Sequence, residues 1–206
     1  MKPIIVTGTD TGIGKTVFAA GLTDALGAHY WKPVQSGLEE ASDSEVVQQL
    51  SGARALSEAY CLQLPASPHL SAEAEDVEID LGRLQLPDVS GQLVVEGAGG
   101  IMVPLTRQHT FLDLFQRWQA PVVLVARTSL GTINHSLLSI AVLRDAGCVI
   151  AGIAFSGEAE PDVEQTICDM GTVKHLGRLP VLDPLNRETL QAAFKSIEVD
   201  EIRKLL

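Results

Sequence analysis

Runs of consecutive apolar residues recur along the chain, each followed by a turn and a stretch of helical spacing. Ile4–Val6 opens the series, and Leu93–Val95, Val122–Val125 and Val149–Ala154 continue it. Unbroken runs of this kind predict strands covered on both faces, as in a parallel sheet. Between them the pattern predicts helices over Lys15–Leu26, Thr110–Trp118, Asn134–Ala146 and Asp162–Met170. In the third, Ile133, Leu137, Ile140 and Ala141 return near helical spacing, and Gly147 supplies a C-terminal stop. His29–Trp31 reads as a further short strand. Strands alternating with helices predict an α/β fold: a mainly parallel central sheet, helices on both faces, right-handed crossovers, and ligand sites at the C-terminal ends of the strands. At 206 residues the chain fits one domain spanning 1–206.

One segment breaks the pattern. Residues 38–92 lack apolar strands, are interrupted by Leu64-Pro65-Ala66-Ser67-Pro68, and carry eleven acids against Arg54 and Arg83. They account for nine of the eleven net negative charges, and predict an acidic excursion between two core strands, with short helices of its own. A net charge of −11 repels nucleic-acid backbones and anionic lipid, so neither is an expected partner. Cys61, Cys148 and Cys168 are far apart and odd in number, which fits free thiols in a reducing compartment rather than a disulfide or metal framework. The apolar run in Met1–Gly8 is too short for a signal peptide, and a cytoplasmic protein is expected.

The strongest chemical signal follows the first strand. Gly8-Thr9-Asp10-Thr11-Gly12-Ile13-Gly14-Lys15-Thr16 leaves a strand and opens a helix. Backbone N–H groups of such a loop converge on phosphate oxygens, with the helix N-terminus adding positive potential. Gly12, Ile13, Gly14, Lys15, Thr16 and Val17 would cradle a nucleotide, Lys15 reaching the terminal phosphates and Thr16 binding Mg²⁺. The spacing departs from GxxxxGK[ST] by one residue, because Thr9 stands where the first glycine belongs. The run Leu93-Val94-Val95-Glu96 ends in an acid and leads into Gly97-Ala98-Gly99-Gly100, a Walker B-like arrangement with Glu96 as second metal ligand. Lys32-Pro33-Val34-Gln35-Ser36-Gly37 follows the short strand and brings a second ammonium and the Ser36 hydroxyl toward the same end of the sheet. Two lysines there stabilise charge during phosphoryl transfer. No Asn-Lys-x-Asp guanine-reading motif is present, which favours ATP over GTP, and neither HExxH nor GxSxG occurs.

These segments, with Ser42-Asp43, Ser67-Pro68-His69 and Gly131-x-x-Asn134-His135, resemble in this order the dethiobiotin synthetase family. The likeness runs to about Gly152 and is looser beyond. It implies a P-loop NTPase-like fold and an ATP-dependent cyclo-ligase that joins 7,8-diaminopelargonic acid and CO₂, with Mg-ATP, into dethiobiotin through a carbamate and a carbamic–phosphoric anhydride. It further implies catalytic roles for Lys32, Lys15 and Thr11, substrate contacts from Thr11, Ser36 and Asn134, and metal ligation by Thr16, Asp43 and Glu96. Gly97, Ala98 and Gly99 would join the nucleotide site; Ser156, where the family's adenine-reading Asn is expected, and Leu179, Pro180 and Val181 would lie beside the base. A homodimer with active sites at the subunit interface is implied, Asn134 serving the neighbour's site. Two other classes share parts of the pattern: another P-loop amide-forming synthase, and a ParA/MinD-like ATPase switch. The switch class carries a signature lysine where this chain has Asp10.

Overall fold

The structure, a computed structural model, describes residues 3–206; Met1 and Lys2, which open the segment read as lacking a leader, lie outside the described residues. The chain begins with β1 (Ile4–Gly8), α1 (Lys15–Leu26), β2 (His29–Trp31) and β3 (Val34–Ser36). It continues through α2 (Asp43–Ser51), β4 (Ala55–Leu56), β5 (Tyr60–Leu62), α3 (Pro68–Ala74) and a 3₁₀ turn at Leu81–Arg83. The second half comprises β6 (Leu93–Gly100), α4 (Phe111–Trp118), β7 (Val122–Arg127), α5 (Thr132–Asp145), β8 (Ile150–Ser156), α6 (Pro161–Gly171) and β9 (His175–Leu179). Helices α7 (Arg187–Phe194) and α8 (Val199–Arg203) follow. Seven strands form one sheet in the order β4–β2–β6–β1–β7–β8–β9, with every pairing parallel.

The apolar runs are the middle of this sheet. Successive side chains alternate between faces, so a strand covered on both sides needs apolar residues at every position. Ile4 and Val6 pack with Phe18, Leu22, Val47 and Phe194 beneath α1, α2 and α7. Ile5 and Val95 pack on the opposite face with Phe111, Leu114, Phe115 and Trp118 of α4. Farther along that face Leu124, Ala126, Ile153 and Phe155 lie under Ile140 of α5 and Ile167 of α6. Full burial of a Leu, Ile or Phe contributes roughly 1.5–3 kcal/mol each, and this two-faced core fixes the strand order.

The acidic excursion has the short helices expected of it, α2 and α3, but it also contains strands the composition hid. β4 adds to the sheet edge beside β2, and β5 pairs in a separate parallel ribbon with β3, which lies just before the excursion. These strands are two or three residues long and partly exposed, so they leave no apolar run. The strand β9 was also unpredicted; its sequence His175-Leu176-Gly177-Arg178-Leu179 mixes polar and apolar positions because it too is an edge.

One expectation needs correcting. Glu96 does not end its strand: β6 runs on through Gly97–Gly100, and Gly100 pairs with Gly8. The glycines allow it, since a Cβ on Gly97 would stand 3.2 Å from Phe115 and one on Gly100 would stand 3.4 Å from the Thr9 carbonyl oxygen. Strand β6 lies between β2 and β1, so Lys32 faces the phosphate loop across Glu96.

Candidate active site

Three neighbouring strands deliver the site. The loop after β1 leads into α1 at Gly14, whose φ of 88° lies in the left-handed region. A Cβ there would collide with Ser156 Oγ, so the position is closed to larger residues by conformation and by space. Lys15 begins α1 and is buried; its ammonium donates to the Asp10 carbonyl oxygen at 2.6 Å. Thr11 N–H donates to Asp10 Oδ1 at 2.8 Å, and Arg127, at the end of β7, stands 3.7 Å from Asp10 Oδ2.

Lys32 lies just beyond β2 and is almost wholly buried. Its ammonium contacts Asp43 Oδ2 at 2.5 Å, Glu96 Oε1 at 3.3 Å and the Gly97 carbonyl oxygen at 3.1 Å. Asp43 is set by α2: Ser42 and Glu45 form a capping box that starts the helix at Asp43. The Gln35 side-chain oxygen accepts from the Asp43 N–H at 3.2 Å, while its amide donates to the Gly37 carbonyl at 3.2 Å. The Thr16 hydroxyl sits 2.9 Å from Asp43 Oδ1 and 3.0 Å from Glu96 Oε1. Behind it, the Tyr30 hydroxyl donates to Glu96 Oε2 at 2.8 Å.

Burial and charge act together on these groups. Burial opposes the charged form of Lys32, but Glu96 and Asp43 overcome it and hold its pKa above the ordinary value. Burial raises Glu96, with Lys32 pulling the other way. Asp43 is less enclosed; burial pushes it up, yet Lys32 and Thr16 hold it below the usual carboxylate range. Lys15 is the exception among the cations, since burial brings it down to about 8 despite Glu96 and Asp43.

That value has a measurable consequence. The folded pKa of Lys15 lies below its ordinary 10.5, so between about 8 and 10.5 the native protein binds fewer protons here than the unfolded chain. The burial penalty is complete below pH 8 and is relieved as pH rises through that window. A bound polyphosphate favours the ammonium, so nucleotide binding at pH 8.5 is expected to take up roughly 0.5–0.8 proton, and close to none at pH 6.5. Calorimetric titration in buffers of differing ionisation enthalpy reads this uptake; identical values at the two pH values would contradict it.

A cavity of 660 Å³ opens over this cluster. Thr11 through Val17 form one wall and Lys32, Asp43 and Glu96 the floor, with Ala98 and Gly99 alongside and Gln35, Ser36 and Pro65–Pro68 opposite. The Ser36 hydroxyl is buried without a hydrogen-bond partner among the described residues, which leaves it for whatever enters. Most of the residues picked out from the sequence thus converge. Gly97 meets the cluster through its carbonyl rather than by lining the cavity. Ser156 stands against the cradle at Gly14 and does not line the cavity. Leu179 is buried, and Pro180 and Val181 are exposed; none of the three lines the cavity. Asn134, in the first turn of α5, lines a separate cavity with Thr128, Gly131 and Glu160. Sequence reasoning missed Tyr30 and Gln35. A β2–β6 pairing would have suggested Tyr30, since it stands opposite Val94, two residues before Glu96.

A phosphate loop at the C-terminal end of a central parallel strand, with an acid from the next strand aimed at the loop threonine, defines a P-loop NTPase fold. Solved structures agree on that fold: the cell-division ATPase MinD of Pyrococcus furiosus superposes with a TM-score of 0.60 at 17% identity, covering 100% of both chains. A ParA-family ATPase of Chlorobium tepidum superposes at 0.51, with 11% identity over 99% of this chain and 95% of that one. In sequence, residues 2–189 match the AAA domain family AAA_26. ATP-dependent dethiobiotin synthetase BioD of Rhodopseudomonas palustris strain TIE-1 is 60% identical over 194 residues, covering 93% of this chain and 92% of that protein. The Bradyrhizobium diazoefficiens protein of the same name is 59% identical over 199 residues, covering 94% of each. The chain belongs to the ATP-dependent dethiobiotin synthetase family and is an enzyme, an ATP-dependent cyclo-ligase of biotin synthesis. Among the described residues no helix is long and apolar enough to cross a membrane.

Proposed function

We propose that the cavity converts 7,8-diaminopelargonic acid, CO₂ and Mg-ATP into dethiobiotin, ADP and phosphate. One substrate amine takes up CO₂ as a carbamate and releases a proton. A carbamate oxygen attacks the γ-phosphorus; the bond to the bridging oxygen breaks and ADP departs. The second amine attacks the carbamic carbon, the carbon–oxygen bond to phosphate breaks, and the cyclic urea closes with loss of a proton. Nothing in this sequence needs a covalent enzyme nucleophile. It needs two anions held together and a third charge stabilised as it forms, which is work for fixed ammonium groups and backbone N–H donors.

The observation that carries this reading is the buried cluster of Lys32, Asp43, Glu96 and Thr16 on the cavity floor, beside Lys15. Lys15 and the N–H groups of Gly12–Val17 would hold the phosphates, and Lys32 would exchange a carboxylate contact for the carbamate and γ-phosphate. Thr11 and the unpartnered Ser36 hydroxyl would orient the carbamate end of the diamine. Thr16, Asp43 and Glu96 are a hard-oxygen set with two carboxylates, the kind of partial shell Mg²⁺ accepts beside phosphate oxygens, so they would hold the metal. Mg²⁺ there would neutralise charge on the phosphoryl oxygens. Gly97–Gly99 would complete the nucleotide site, with Ser156 and Leu179–Val181 nearer the base. The separate placing of Asn134 fits a homodimer in which α5 of one subunit receives the substrate carboxylate of the other.

The test is mass spectrometry of purified protein with diaminopelargonate, bicarbonate and Mg-ATP. Dethiobiotin is expected, with ADP release dependent on both diamine and bicarbonate. ATP hydrolysis of equal rate without the diamine would favour a nucleotide-driven switch instead.

A further inference from the structure

We propose that Tyr30 is a positioning residue for Glu96: its phenol fixes which carboxylate oxygen faces the metal and phosphate end of the cavity. This rests on the reading of Glu96 as a metal-holding acid given above. Both side chains are fully buried, Tyr30 and Glu96 at 0% exposure. They reach one another from adjacent parallel strands. Tyr30 stands opposite Val94, so Glu96, two residues on, projects to the same face, and the length of the phenol spans the offset along the strand. The hydroxyl donates to Glu96 Oε2 at 2.8 Å, while Oε1 meets Thr16 at 3.0 Å and Lys32 at 3.3 Å. The two oxygens have separate duties, one anchored in the core and one presented to the site. A phenylalanine at this position would keep the packing but leave a buried carboxylate oxygen without a donor, free to rotate away from Thr16. Trp31, next in the strand, gives its indole N–H to the Ser57 carbonyl at 3.1 Å and has no such link to the site.

Tyr30→Phe is expected to fold and to raise the Mg²⁺ concentration for half-maximal turnover by about 10–100-fold, with the KM for the diamine within about twofold of the parent. Binding of Mn²⁺ with ADP, followed by electron paramagnetic resonance, is expected to weaken in parallel without any turnover. Tyr60→Phe is the control, because the Tyr60 hydroxyl accepts from Asp80 N–H at 2.8 Å, away from the cavity; it should leave both metal readings unchanged. The chain has two tyrosines, so protein labelled with 3-fluorotyrosine gives two fluorine resonances, and Tyr60→Phe assigns them. Adding Mg²⁺ to the ADP complex is expected to move the Tyr30 line and leave that of Tyr60. Unchanged metal dependence in Tyr30→Phe would overturn the proposal, as would a Tyr30 resonance indifferent to Mg²⁺ should that variant fail to fold. Parent protein that binds metal and nucleotide but makes no dethiobiotin would refute the proposed function instead, and the Mn²⁺ and fluorine readings would still decide the role of Tyr30.

Discussion

Replacing Lys32 by methionine is expected to lower dethiobiotin formation by at least about 10²–10³-fold, the cost of removing one fixed charge from a transition state. It should also destabilise the protein at neutral pH by about 3–5 kcal/mol, because the wholly buried Glu96 loses the ammonium paired with it and keeps only the longer-range charge of Lys15. The second effect has a pH signature. Without Lys32 the folded pKa of Glu96 rises further above its unfolded value, so the variant recovers stability as pH falls through the carboxylate range and loses it as pH rises. The double variant Lys32→Met with Glu96→Gln is expected to regain much of the stability and none of the activity. Denaturant unfolding and product assay on the same preparations separate the two roles. A single variant with full turnover would end the mechanism proposed for Lys32.

Lys15→Met makes the opposite pairing of outcomes. Product formation should again fall by about 10²–10³-fold or more, here through loss of the phosphate contact. Stability should hold or increase, because burial already disfavours the Lys15 ammonium, and its pKa of about 8 records that penalty. Its hydrogen bond to the Asp10 carbonyl, at 2.6 Å, is the contact forfeited in exchange. Thermal unfolding at pH 7 and nucleotide titration check both halves. A marked drop in melting temperature would mean that Lys15 holds the loop together rather than waiting for a phosphate.

The central strands were legible because a doubly covered strand must be apolar throughout, and Val122–Val125 can hardly be read otherwise. Edge strands obey no such rule, which is why Ala55–Leu56 and His175–Leu179 escaped notice. The phosphate loop announced itself through local spacing. Lys32 and Glu96 were visible only as neighbours of strands, and their contact depends on a sheet order that no local pattern encodes. Asp43 was one acid among eleven until the family resemblance singled it out; its capping box explains the placement after the fact. Tyr30 and Gln35 carried no signal of their own, since an aromatic and a glutamine in short strands each have commoner uses.

The cavity is built from two sources with different freedoms. Its phosphate half is tied to register between parallel strands, where a slip of one residue would turn Glu96 to the other face of the sheet. The opposite wall, Pro65–Pro68, hangs on the β3–β5 ribbon and α3, elements outside the seven-stranded sheet. Evolution can therefore lengthen, trim or recut that insertion, and so alter which acceptor fits, while leaving the energy-transducing machinery as it stands.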